Sequence, residues 1–122
     1  MENDELLQRF LRRYDKPATV DAYPRDLQQF TQFVGKPLSE ITAHDVAAFR
    51  SYLTFAEWRR VTQHGHYSPT STGRKLDVVR RFIRWAVGEG VSSIGEVELQ
   101  AVTATDRRVH NAARRHRRRR PT

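Results

Sequence analysis

Ser68-Pro69-Thr70-Ser71-Thr72-Gly73-Arg74-Lys75-Leu76-Asp77-Val78-Val79-Arg80-Arg81-Phe82-Ile83-Arg84-Trp85-Ala86-Val87 is the stretch whose reading decides the fold. Leu76, Val79, Phe82 or Ile83, and Ala86 recur at steps of three and four, the period of a helix with one buried face. Arg74, Lys75, Arg81 and Arg84 fall largely off that face, which predicts a core helix with a basic side. Ser68 stands where a cap is needed, with Pro69 at the first helical position, where its missing N–H costs nothing. Gly88 and Gly90 end the run. The basic side reads either as an ordinary solvated face or as a contact for a polyanion, and this segment alone does not choose.

Working outward, the preceding segments show the same helical period. Leu6, Leu7, Phe10, Leu11 and Tyr14 form a short amphipathic helix, with Asn3 as its cap and Arg12, Arg13 and Lys16 at the end that the helix dipole makes attractive to cations. A helix this short is marginal alone and must dock on the body or on a partner. Val20, Tyr23, Leu27, Phe30 and Val34 hold a second stripe, with Asp21 as the preferred cap so that Pro24 falls in the first turn. Gly35-Lys36-Pro37 ends it, Leu38 and Ile41 plug the turn, and Thr42 with Asp45 gives a capping-box start to a helix over Val46, Phe49, Leu53 and Ala56 that runs to about Arg60. Thr62 to Tyr67 reads as a loop.

Beyond the central helix, Val91 and Ile94 are expected to fold back onto the core, and Glu96 to Ala101 to form at most a short helical turn. Thr103 with Asp106 repeats the cap signature and predicts a last helix through Asn111 to Arg115. No strand-like alternation persists. The fold class is all-α, a bundle of four to five helices, with an amphipathic segment and linker at 1–18, a helical domain at 19–101, and a basic helix and tail at 102–122.

The formal charge of +8 on 122 residues is unevenly placed. Residues 1–106 hold 14 Lys+Arg and 14 Asp+Glu, so their net charge is zero. The excess comes from Arg107, Arg108, Arg114, Arg115, Arg117, Arg118, Arg119 and Arg120. Such a tail attracts any polyanion without regard to sequence, so selectivity has to come from how charge is arranged on the neutral part. The tail itself is expected to be disordered without a ligand.

The residues exclude several classes of chemistry. Cysteine is absent, so disulfides and thiolate chemistry are out. His44, His64, His66, His110 and His116 stand in no zinc pattern, and no metal or cofactor is expected. No G-x-G-x-x-G or P-loop is present, and the carboxylates are scattered, pairing locally as Asp77 does with Arg81. No run approaches a membrane span, and the cytoplasm is the default location. Trp58 and Trp85 sit beside core stripes and are read as packing residues. The best candidate surface is Thr70, Ser71, Thr72, Arg74 and Lys75, where short hydroxyls and helix N-terminal N–H groups suit phosphate and the cations suit phosphate or guanine edges. Cap chemistry with ordinary solubility explains the same residues equally well.

The order of signals narrows this choice. Thr19-x-x-x-Tyr23-x-x-x-Leu27-x-x-Phe30 is followed by Leu38-x-x-Ile41-Thr42-x-x-Asp45-Val46-x-x-Phe49, then by Thr72-x-x-x-Leu76-x-x-Val79-Arg80-x-Phe82-x-x-Trp85 and Gly90. Over residues 19–94 the chain resembles the N-terminal core-binding domain of tyrosine recombinases, the phage-integrase and Xer-like family, a small SAM-like helical bundle. The resemblance implies duplex DNA binding. It assigns the DNA-facing role to Thr70, Ser71, Thr72, Arg74, Lys75, Arg81 and Arg84, with Thr42, His44, Arg50 and Arg25 as secondary contacts. The chain departs from the family in its longer Val61–Pro69 loop and in Ser92-Ser93-Ile94-Gly95, which replaces the family's Asn-Pro pair.

No counterpart of the family's catalytic arginines, histidines, lysine or nucleophilic tyrosine is found. The expectation is a non-catalytic, double-stranded-DNA-binding module, either stand-alone, a remnant of a mobile element or a piece of a larger enzyme. The alternative is a helical protein–protein or self-association module serving a recombination or replication factor, motivated by the 2–14 segment, Trp58 and the long loop. A basic RNA-associated protein has only the arginine tail in its favour.

Overall fold

Helix is the only regular secondary structure among the described residues. The computed structural model describes residues 2–14, 17–64 and 71–104, with backbone alone at 17–21, 57–58, 60–64 and 71. Its elements are α1 (Asn3–Leu11), α2 (Pro17–Val34), a 3-10 turn (Leu38–Glu40), α3 (Ala43–His64), α4 (Ser71–Gly88) and α5 (Glu96–Val102).

The apolar face of α4 is broader than one stripe. Leu76, Val78, Val79, Phe82, Ile83 and Ala86 are all buried, so both Phe82 and Ile83 belong to the core. A face this wide needs neighbours on several sides, and α4 packs against α1, α2, α3 and α5. The neighbours contribute Leu27 and Phe30 from α2, Val46, Phe49 and Leu53 from α3, and Leu99 from α5. Each such side chain adds roughly 1.5–3 kcal/mol through burial. Aromatic rings join the layers edge-on: Phe30 meets Phe49 with centroids 5.2 Å apart at 68°.

The first helix docks on the body rather than standing apart. Leu6, Leu7 and Phe10 belong to the same core, and the Phe10 ring lies 5.3 Å from Phe82. The expectation that Asn3 caps this helix is corrected: Glu2 occupies the cap position and Asn3 is the first helical residue. The Asn3 carboxamide instead donates to the Lys36 carbonyl and accepts from the Leu38 N–H, both at 2.8 Å. It thereby pins α1 to the linker after α2.

The second helix starts at Pro17, earlier than the expected Asp21 cap, which leaves Pro24 inside the helix. Proline suits the first helical position, and an interior proline forfeits one backbone hydrogen bond. Packing of Leu27 and Phe30 carries the helix through that loss. At Gly35, φ is +65°, the left-handed conformation that ends a helix at least cost on glycine.

The capping box of α3 forms as its sequence implies. The Asp45 N–H donates to Thr42 Oγ1 at 3.3 Å, and the Thr42 N–H donates to Asp45 Oδ2 at 2.9 Å. Lys36 adds an ion pair to Asp45 at 3.1 Å. The helix runs through His64, so the expected loop at Thr62–His64 is helical. The expected cap at Ser68-Pro69 lies outside the described residues.

At the far end of α4, Gly90 has φ of +76°, with the Val91 N–H bonded to the Ala86 carbonyl and the Gly90 N–H to the Val87 carbonyl. That pair of bonds is a Schellman stop, and it turns the chain back so that Ile94 is buried and Val91 packs on the core. Thr103 closes α5, and the last helix expected from it through Asn111 to Arg115 lies outside the described residues. The Thr103 hydroxyl donates to the Leu99 carbonyl at 2.7 Å, and its expected partner Asp106 lies outside the described residues.

Candidate nucleic-acid interface

On α4, Arg74, Asp77, Arg81 and Arg84 follow one another at steps of three and four, so they form a single stripe. Arg81 pairs with Asp77 at 3.0 Å, the contact predicted from their spacing, and Arg80 pairs with the same carboxylate. The Arg81 guanidinium is held above its ordinary pKa, first by the Asp77 charge and then by the Tyr14 hydroxyl. Arg84 reaches Glu96 on α5, and that hydrogen bond raises the pKa of Arg84 and lowers that of Glu96.

Between α1 and α4 lies an open groove of about 870 Å³. Five arginines line it: Arg9 and Arg13 from α1, and Arg80, Arg81 and Arg84 from α4. Its carboxylates are Asp77 and Glu89, and its floor includes Phe10, Tyr14 and Trp85. Trp85 packs against Phe10 and Phe82, as the core reading expects, with the Arg9 guanidinium 5.9 Å above its ring. Arg9 also pairs with Glu89 at 3.8 Å. Arg13 makes no ion pair among the described residues. A rigid apolar floor under several cations with fewer carboxylates can hold phosphate oxygens in a fixed row.

The N-terminal end of α4 differs from the sequence reading. Arg74 and Lys75 both turn onto Asp26 of α2, a carboxylate only 1% exposed. Lys75 also donates to Gln29 Oε1 at 2.5 Å, and its side chain is 19% exposed. Lys75 is therefore a brace between helices, and the expectation that it projects outward is corrected. Burying the Asp26 charge is costly unless it is paired, and the two cations supply that pairing. Thr72, 4% exposed, lies inside the domain rather than on the surface. Ser71 is described by its backbone alone, and Thr70 lies outside the described residues.

The secondary candidates do not join this cluster. Arg50 donates to the Ala101 carbonyl at 2.8 Å and ties α3 to the last turn of α5, where a cation suits the helix dipole. Thr42 is spent on the α3 cap, and His44 is exposed in its first turn. Arg25 is exposed on α2 and has no ion pair among the described residues. The arginines from Arg107 to Arg120 lie outside the described residues. No group of three His, Cys, Asp or Glu side chains converges on a possible metal site among the described residues.

Comparison with known proteins settles what kind of domain carries this groove. The sequence pattern described as phage integrase, N-terminal SAM-like domain, matches residues 5–90. The chain belongs to that family. The integrase SAM-like match takes in α1 from Glu5 onward, whereas the resemblance read from sequence began at Thr19. The tyrosine recombinase XerD of Bradyrhizobium diazoefficiens is 29% identical over 75 residues, covering 62% of this chain and 22% of that protein. The chain thus spans about a fifth of that relative's length. No solved structure matches it.

Sequence reasoning missed Arg9, Arg13, Arg80 and Glu96 as parts of this surface, and Asp26 as the buried carboxylate behind it. Arg13 was visible as a basic residue ending α1, but only the docking of α1 on α4 gives it neighbours. No helix of the described residues is long and apolar enough to cross a membrane.

Proposed function

We propose that this recombinase-related domain is a non-catalytic module that binds double-stranded DNA through α4 and the adjoining part of α1. The observation that carries the reading is the convergence of Arg9, Arg13, Arg80, Arg81 and Arg84 on one groove. Phosphates dominate duplex affinity, and a row of guanidiniums over an apolar floor is suited to them. Arg74 extends the stripe toward base edges, and Arg25 is an outlying contact. The tail supplies charge without shape and acts on any duplex alike.

Fluorescence anisotropy with random duplex at ~50 and ~200 mM salt tests this reading. Micromolar or tighter binding that weakens steeply with salt is expected. Absence of binding at the lower salt overturns it. Competition by structured RNA separates a duplex-DNA module from an RNA-associated one, because the latter loses its labelled DNA to RNA first.

A second reading, self-association, has one observation in its favour. Phe33, Tyr52 and Phe55 are exposed on α2 and α3, with Phe33 and Tyr52 stacked at 5.2 Å. The apolar face of α1, which suggested a partner from sequence, is already used inside the domain. Light scattering across a concentration series decides it: a constant monomer mass argues against self-association.

A further inference from the structure

Asp26 holds Arg74 in one orientation. Arg74 Nε donates to Asp26 Oδ2 at 3.0 Å and Nη2 donates to Oδ1 at 3.3 Å. Lys75 Nζ takes the same Oδ1 at 3.1 Å. A guanidinium is a planar fork of five N–H bonds, and the Nε–Nη2 side of Arg74 is now occupied. The remaining N–H of Nη2 and one N–H of Nη1 run parallel along the end of the side chain. They make no other hydrogen bond among the described residues, and the side chain is 42% exposed. One carboxylate against two cations leaves a net positive charge. Lys75 is turned inward on two acceptors, so Arg74 carries that charge to the surface.

We infer that Asp26 is a positioning residue for sequence reading: it fixes the outer Nη1–Nη2 edge of Arg74 to donate to the O6 and N7 pair of a guanine in the major groove. The inference rests on the proposed duplex binding and deepens it. That edge fits two parallel acceptors, a pattern that guanine shares with phosphate oxygens. Orientation separates the two. A phosphate clamp needs charge and reach, which Arg81 and Arg84, paired with the solvent-accessible carboxylates of Asp77 and Glu96, already provide. Base reading needs a fixed plane, and a buried carboxylate supplies one. Lys75 completes the support by holding Asp26 in place, and Gln29 in turn fixes Lys75.

The test uses the full chain and a duplex selected from a randomised pool, with each guanine replaced in turn by 7-deazaguanine, which lacks the N7 acceptor. For the unaltered protein, one replacement is expected to weaken binding by about tenfold. In Asp26→Asn that discrimination falls to near unity at the same guanine, while preferences at other base pairs persist. A merely structural role for Asp26 would lower all preferences together. Circular dichroism controls for folding. If Asp26→Asn unfolds the domain, Arg74→Lys carries the test, because it keeps a cation beside Asp26 but removes the fork. The inference is overturned if no guanine responds, if Asp26→Asn keeps the discrimination, or if Arg74→Lys does so. A full chain that binds no duplex overturns the underlying reading and this inference with it. Binding without a responsive guanine overturns the inference alone.

Discussion

Arg84 and Glu96 close a forked ion pair between α4 and α5, with Arg84 Nε 3.0 Å from Glu96 Oε1 and 3.2 Å from Oε2. Nη2 donates to the same carboxylate, and Gln100 supports it at 3.1 Å. The pair therefore places a carboxylate beside an arginine that the groove would offer to phosphate.

Arg84→Ala should weaken binding of cognate and random duplexes about equally and lower the salt slope by about one unit. Glu96→Gln should act in the opposite direction and tighten random-duplex binding, because it removes a charge that competes with phosphate. Anisotropy titrations of both variants check the pair. Equal weakening by both would mean that the ion pair supports the fold and not the interface.

Leu76 is 1% exposed at the start of the buried face of α4. Leu76→Ala should cost about 2–5 kcal/mol of stability, from lost burial and the cavity left behind. Urea unfolding measures it directly, and a loss under 1 kcal/mol would show that α4 is not the centre of the core.

Thr42 and Asp45 predict a pH-dependent cap. The Thr42 backbone N–H, with smaller help from Lys36, holds the Asp45 carboxyl below its ordinary 3.8. Because the folded value is depressed, the stabilisation is fully present above the ordinary value and disappears as pH falls through the lowered one. Thr42→Ala should cost about 1 kcal/mol near neutral pH. The melting-temperature gap between the native protein and Asp45→Asn should shrink once the pH falls below 3.8. A gap that stays constant into acid would assign the effect to packing.

Deleting residues 107–122 removes eight arginines. Affinity should fall strongly and similarly for every duplex, with a shallower salt slope, because those charges carry no geometry for base reading. A changed order of preference among duplexes would give the tail a part in recognition.

The helical stripes were legible because each repeats within one helix. Leu76, Val79 and Ala86 announce a buried side through spacing alone, and Thr42 finds Asp45 three residues away. Arg74 and Lys75 show where periodicity stops informing. Their positions put them off the main apolar stripe, but Asp26, 48 and 49 residues away, turns Lys75 inward and fixes one side of the exposed Arg74. Arg50 likewise finds its acceptor at Ala101, 51 residues on. Arg13 looked like a dipole partner of a short helix, and Arg9 like nothing in particular, until α1 came to rest beside α4.

By itself, then, the amino-acid order determined the helical class, the buried side of α4, the α3 cap and the neutral body with its basic tail, all consequences of local period and composition. Only the tertiary structure decided which cations are spent inside and which line the groove. Long side chains choose partners by proximity in space, and that proximity exists only after the apolar faces have packed.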